Sequence, residues 1–255
     1  MNLDKTPVKI GFLYSRTGVT SVVESQQREA AILAVEEINQ DGGLLGEELL
    51  FSGCDTRSNP AAFRAEGARL LSEERVDALF GCYMSSCRKA VLQTVNDHKS
   101  TLFYPTHYEG FEYAKGCIYS GATPNQSAKW LADFMTQTYG GRFFFVGSNY
   151  IFPYEINRLM RDLLSNRGAD VVDEVYIPLG SSGDEIDCVI NRIKQSQPVI
   201  VFSTLVGTDA VDFYRAYDNA GFDRTIMPIC SVTAGEPEMA AMGRSAAEGN
   251  IKAAP

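Results

Sequence analysis

Short apolar runs alternate with longer stretches of helical period along nearly the whole chain, and no other feature narrows its possible folds as far. Strands bounded by turn signals and separated by helical segments read as βαβ units around a parallel sheet. Val8–Tyr14, Leu49–Gly53, Ala78–Cys82 and Thr101–Tyr104 are too apolar to be half exposed, which is what strands covered by helices on both faces require. Between the first two, Gln26–Asn39 carries Ala30, Ala31, Leu33, Ala34, Val35 and Ile38 at helical spacing and stops at Asp41-Gly42-Gly43. Helices over Ala61–Ser72 and Ser85–Asp97 follow, and Pro105 ends the fourth strand because it cannot donate to a ladder.

A second set begins near Asn125. Its helices are predicted over Ser127–Thr138, Tyr154–Arg167, Gly183–Gln195 and Thr208–Ala220, and its strands over Arg142–Gly147, Val171–Ile177, Val199–Ser203 and Thr225–Ser231. A chain of 255 residues is near the length at which one core divides into two. The pattern therefore predicts an α/β fold of two doubly wound parallel-sheet lobes, residues 1–120 and 121–248, with the cleft between them as the default ligand site. Residues 249–255 read as the start of a segment leading away from the second lobe.

Charge removes several functions. Asp and Glu number 32 against 23 Lys and Arg, a formal net charge of −9, and no five like charges run together, so no direct contact with nucleic acid is expected. No run of 18 apolar residues exists to span a membrane. Asp4 and Pro7 precede the first apolar stretch, unlike a secretory signal, so the chain is expected to be cytoplasmic, or periplasmic if a signal peptide has been removed. Cys54, Cys82, Cys87, Cys117, Cys188 and Cys230 contain no C-x-x-C pair and read as free, mostly buried thiols. No metal or cofactor is expected.

In wound sheets the loops at the carboxyl ends of the strands build the site. Four such loops are Tyr83-Met84-Ser85-Ser86, Pro105-Thr106-His107-Tyr108, Ser148-Asn149-Tyr150-Ile151-Phe152 and Thr204-Leu205-Val206-Gly207-Thr208. All four combine aromatic rings and hydroxyls with few charges. Tyr83, Tyr104, Tyr150 and Phe152 suit the walls of a small pocket; Ser85, Thr106 and Thr204 suit polar orientation of a ligand, and Ser85 stands where a helix begins and its free N–H groups donate to a ligand oxygen. The plainer alternative is that Ser85 and Thr208 cap helices and the tyrosines pack in a core.

Catalytic patterns are missing: G-x-S-x-G, H-E-x-x-H, G-x-x-x-x-G-K-[ST] and G-x-G-x-x-G do not occur. With His98 and His107 the two histidines, a nucleophile pair needs His107 beside Cys82 or Ser85, and an orienting or packing role for it is preferred. Glu109 and Glu112 suit pairing with Arg88 or Lys89 as well as acid–base work. No enzyme activity is expected.

The segments Gly81–Val91, Tyr104–Tyr113, Pro124–Gln126, Gly147–Pro153 and Phe202–Thr208, in this order, resemble the aliphatic amidase expression regulators, cytosolic amide sensors with a type I periplasmic-binding-protein fold. The same loops are similar, with more changes, to urea- and short-chain-amide-binding components of ABC transporters. The resemblance implies an acetamide-like amide or urea held by Tyr83, Ser85, Tyr104, Thr106 and Tyr150, with Thr204, Val206 and Thr233 as further contacts. It also implies sequestration of an RNA-binding antiterminator. Phe152 and His107 stand where the regulators have other residues. Such proteins continue past the length of this chain and cross back to complete the first lobe, so a C-terminally incomplete fold is expected, with an exposed strand edge that invites association into a homo-oligomer.

Overall fold

The computed structural model describes residues 6–253; residues 1–5 and the last two of the C-terminal tail lie outside it. The described chain forms two units, residues 6–107 with 111–121, and 108–110 with 122–253.

In the first unit the order is β1 (Lys9–Leu13), α1 (Ser21–Gln40), β2 (Leu50–Ser52), α2 (Pro60–Arg69), β3 (Ala78–Gly81), α3 (Ser85–Asp97), β4 (Leu102–Tyr104) and β5 (Cys117–Tyr119). All pairs are parallel, in the spatial order β2-β1-β3-β4-β5. Ile10, Phe12, Tyr14, Val35 and Leu49 make one buried cluster, with Ala31 and Ile32 of α1 against it. Asn59 starts α2 by accepting the N–H groups of Ala61 and Ala62, with Pro60 at the first helical position, where its missing N–H is no loss. The helix continues through a π-helical turn, Leu70–Glu74, which Arg75 closes in the left-handed region at φ 55°.

The second unit runs α4 (Pro124–Thr138), β6 (Arg142–Ser148), α5 (Ile151–Ser165), β7 (Asp170–Ile177), α6 (Gly183–Ser196), β8 (Ile200–Thr204), α7 (Gly207–Asn219), β9 (Ile229–Ser231), α8 (Glu236–Met242), α9 (Arg244–Ala247) and β10 (Ile251–Lys252). Its sheet is also parallel throughout, ordered β10-β9-β8-β6-β7. Counted within each unit, both orders are 2-1-3-4-5, the flavodoxin-like winding of an α/β sheet.

β6 shows why the strands read as unbroken apolar runs. Successive side chains leave a strand on opposite faces. Phe143 and Phe145 enter a cluster with Leu131, Met135, Ile156 and Met160 of α4 and α5. Phe144 and Val146 enter the other, with Ile186, Val189, Phe213 and Tyr217 of α6 and α7. Both faces of the sheet are therefore covered, and the chain has the two parallel-sheet α/β architecture expected of it.

Helix starts differ most from expectation. α1 begins five residues before Gln26, and α4 begins at Pro124, where Thr123 and Gln126 form a capping box. α5 takes Pro153 into its first turn. β5, in a stretch for which no element is predicted, is an edge strand beside β4. Most of the strand expected over Thr225–Ser231 is a turn: Asp223 accepts the N–H and hydroxyl of Thr225, and the ladder begins at Ile229. Ile251 and Lys252 pair with Cys230 and Ser231 of β9.

Candidate functional site

In a sheet wound 2-1-3-4-5 the chain turns opposite ways after its first and third strands, and the loops there border a crevice at the carboxyl edge. In the first unit those loops are 14–20, after β1, and 82–84, after β3.

The loop after β3 is forced into shape by backbone contact. Gly81 has φ +127°, a Cβ on it would stand 2.3 Å from the Leu13 carbonyl oxygen, and Cys82 follows at φ +67° with its N–H donated to that carbonyl. Tyr83 and Ser85 are buried at the loop's end, and α3 starts without any side-chain cap. Ser85 is inside the first turn and Met84 occupies the cap position, so Ser85 does not cap the helix. Thr208 likewise lies inside α7, behind Val206.

Tyr104 and Thr106 brace this loop from β4. The Tyr104 hydroxyl donates to the Tyr83 carbonyl at 2.9 Å, and Thr106 Oγ1 donates to the Cys82 carbonyl at 3.3 Å. A hydroxyl that donates to a carbonyl meets anything else as an acceptor. Ser85 has the opposite bias, because the guanidinium of Arg88, which has no acceptor, donates to Ser85 Oγ at 3.1 Å. Tyr83, Ser85, Tyr104 and Thr106 are thus gathered at one edge with a donor-biased serine and two acceptor-biased hydroxyls. Tyr104→Phe keeps the ring but strips the Tyr83 carbonyl of this bond. The variant is expected to lose about 1–2 kcal/mol in urea denaturation, and an unchanged midpoint would show the bond to be dispensable.

Arg88 is fully buried and is the centre of a charged cluster. Its Nε meets Glu112 Oε1 at 2.8 Å, and its guanidinium lies 4.6 Å from the Tyr104 ring centre. Glu112 also accepts from Tyr119 at 2.7 Å and from Lys89. Burial alone would raise the Glu112 carboxyl, but these donors and the Arg88 charge outweigh it and hold it at about 2. Glu112 is therefore an ion-pair partner of Arg88 and Lys89, the first of the two roles its sequence position left open.

The loop after β1 was not among the four read from the sequence, although Tyr14-Ser15-Arg16-Thr17 has the same mix of ring and hydroxyl. Glu24 of α1, fully buried, accepts the Ser15 N–H at 2.8 Å and the Thr20 hydroxyl at 2.5 Å. Ser15 Oγ bonds Thr56 Oγ1 at 2.9 Å and accepts the Ser58 N–H at 2.8 Å. Asp55 accepts from Arg16, Thr17 and Arg57; burial opposes its ionisation, yet these bonds hold it down at about 2. Burial pushes Glu24 the other way, to about 7, against the Thr20 and Ser15 bonds.

In the second unit, Tyr150 precedes α5, half-buried, with its ring 6.4 Å from that of Phe152. Ser148 Oγ accepts the Val206 N–H at 3.3 Å, and Thr233 Oγ1 donates to the Leu205 carbonyl at 2.8 Å, so the loops after β6, β8 and β9 are tied in sequence. Thr204, as fully buried as Tyr104, donates to Asn157 Oδ1 of α5 at 3.0 Å. Ser148 and Ser231, neither of them singled out as a ligand contact from the sequence, carry the ties; Ser231 Oγ accepts the N–H groups of Thr233 and Ala234. Of the carboxyls at this edge, Asp209 accepts from the Gly180 and Ser181 N–H groups, while Glu238 accepts the Gly235 N–H on Oε2 and its buried Oε1 has no hydrogen-bond partner. Burial raises both, Asp209 to about 6.

Complete burial pushes the Cys82 thiol well up, away from its nucleophilic thiolate. All six cysteines are free thiols, with Cys54 and Cys188 exposed. Among the described residues no three His, Cys, Asp or Glu side chains are grouped to hold a metal ion, and no helix is long and apolar enough to cross a membrane.

Residues 8–255 match the sequence family described as "Periplasmic binding protein domain". Over 86 residues the chain is 34% identical to "Leu/Ile/Val-binding protein homolog 7" of Brucella abortus, a stretch covering 34% of this chain and 21% of that relative. The fold is similar to that of the branched-chain amino acid transporter substrate binding protein LivJ from Streptococcus pneumoniae, solved with isoleucine. The TM-score is 0.83 at 18% identity, covering 96% of this chain and 70% of that one. It is equally similar to a solute binding protein of an ABC transporter from Rhodopseudomonas palustris, solved with 4-hydroxybenzoate. There the TM-score is 0.83 at 20% identity, covering 94% of this chain and 66% of that one.

Proposed function

The chain belongs to the periplasmic binding protein family, and from that premise we propose that it binds a short, uncharged aliphatic amide or urea without transforming it. The observation that carries the reading is the first unit's edge, where Ser85 is biased to donate and Thr106 and Tyr104 to accept. A primary amide presents one acceptor oxygen and two N–H donors, and needs such a set with no formal counter-charge. Tyr83 supplies an apolar face beside these hydroxyls. Cys82 and Ser85 have no catalytic role in this scheme.

A cytoplasmic amide sensor controlling an amidase operon is the finer form of the proposal. An RNA-binding antiterminator carries basic surface, which a chain of net charge −9 complements. Amide would release it to the extent that the ligand binds the two conformations of the sensor unequally. The similarity to ABC transporter binding proteins supports a second reading, the solute-binding component of an amide or urea transporter. The two separate on whether a basic RNA-binding partner, bound at low salt, dissociates when amide is added.

Thermal unfolding with acetamide, propionamide, butyramide and urea tests the ligand class. At a hundredfold excess over Kd a true ligand stabilises by about 2.7 kcal/mol, a rise of roughly 5–10 °C for a chain this size. Ser85→Ala is expected to weaken binding about tenfold, the value of one good hydrogen bond to the ligand. No response to any amide, with a clear rise for isoleucine or 4-hydroxybenzoate, would sink the proposal. Ammonia released from acetamide would sink the claim that nothing is transformed.

A further inference from the structure

Two features place positive potential at the Ser85 edge. The uncapped N-terminus of α3 favours negative charge, and Arg88, fully buried on the same helix, places its guanidinium 3.1 Å from Ser85 Oγ. Left alone, that pair would prefer a carboxylate to a carbonyl. Glu112 answers it: one carboxylate oxygen meets Arg88 Nε at 2.8 Å and is shared with the Tyr119 hydroxyl at 2.7 Å. Its other oxygen meets Lys89, whose side chain is 42% exposed and so screened by water.

We propose that Glu112, acting through Arg88, is the positioning residue that sets this edge's preference for a neutral carbonyl oxygen over a carboxylate. This rests on the amide-binding reading and deepens it. Arg88 orients the Ser85 hydroxyl toward the ligand oxygen, and Glu112 compensates the charge that does the orienting. Removing the carboxylate adds one positive charge to the cluster, a few ångströms behind Ser85, at a depth where charges act strongly on each other.

The test is a ratio, which a purely structural effect of the substitution would leave alone. Titration calorimetry of the full chain at pH 7 with acetamide and propionamide, and with acetate and propionate, gives the amide-to-carboxylate preference directly. The parent is expected to favour the amides. Glu112→Gln is expected to move the ratio toward the carboxylates by about tenfold, and 0.5 M salt to shrink that shift. Glu112→Asp keeps the charge but draws it back by one methylene; it is the gentler probe should the glutamine variant fail to fold, with a smaller shift in the same direction. Arg88→Met combined with Glu112→Gln removes both charges and is expected to return the ratio toward the parent's. An unchanged ratio in a folded Glu112 variant that still binds amide overturns the inference and leaves the amide reading standing. A parent chain that binds neither class overturns the amide reading itself, and the inference with it.

Discussion

Gly81→Ala is expected to destabilise the first unit by roughly 3–5 kcal/mol, among the largest losses a single methyl group can inflict. Two penalties coincide at this position. Its φ of +127° is a conformation that side-chain-bearing residues rarely adopt, and the added Cβ would stand 2.3 Å from the Leu13 carbonyl oxygen. That carbonyl cannot move aside, because it accepts the Cys82 N–H at 2.9 Å, and Leu13 pairs with Gly81 in the β1–β3 ladder. Relief must come from the loop itself, which carries Tyr83 and Ser85. The control is Gly42→Ala: its φ is +101°, but nothing lies within 4 Å of the new Cβ, so only the backbone term remains, about 1–2 kcal/mol. Urea midpoints for both variants at an unchanged m-value check the claim. Equal losses would mean that the close approach of Leu13 and Gly81 is not what fixes the loop.

Much of this architecture was legible because the period of apolar residues follows from burial alone. Phe143, Phe144 and Phe145 are consecutive and all fully buried, which a strand permits only when both sheet faces are covered, and the run could be read that way before any coordinate was known. Short edge strands were not legible. Cys117–Tyr119 leaves Ile118 about half exposed and has three residues from which to judge a period. Nor was the start of α1, since Ser21-Val22-Val23 carries neither a strong helix former nor a side-chain cap, and what holds it is Glu24 reaching back to Ser15 and Thr20.

The same division runs through the site. Loops at strand ends are placed by topology, so Tyr83, Ser85, Tyr104 and Thr106 could be grouped from order alone. The direction of each side chain depends on the partner it finds. Thr204 and Thr106 both follow apolar strands and look alike in sequence. The first donates to Asn157 of α5 and the second to the loop after β3. Pairing of Glu112 with Arg88 or Lys89 was one of two roles the sequence allowed, and the fold decides between them by bringing Glu112 onto Arg88 across a strand and a loop.

Stability should fall, not rise, as pH climbs from about 4.5 to about 7, to the extent that Glu24 governs it. Burial raises the folded-state value of this carboxyl from 4.5 to about 7, against the opposing bonds from Thr20 and Ser15. Below 4.5 both folded and unfolded chains hold the proton and the contribution is complete. Between the two values the unfolded chain has lost a proton that the folded chain keeps, so the slope of unfolding free energy with pH is negative. Above about 7 both are ionised, and the contribution, about 3 kcal/mol, is gone. This is opposite in sign to the effect of Asp55 and Glu112, whose lowered values contribute stability that disappears only in acid. Glu24→Gln isolates it. The glutamine carbonyl can accept the Ser15 N–H and its amide can donate to Thr20 Oγ1, so both ties survive without a titrating proton. Asp209, raised to about 6 in the second unit, has the same sign and cancels when variant and parent are compared at each pH. Urea denaturation at pH 5 should find the two within about 1 kcal/mol, and at pH 8 the variant should be ahead by about 2–3 kcal/mol. A gap that stays constant from pH 5 to pH 8 would mean that Glu24 is ionised in the fold throughout. The loop after β1 would then be held by a buried carboxylate, and the first unit's edge would carry a negative charge that a neutral ligand does not explain.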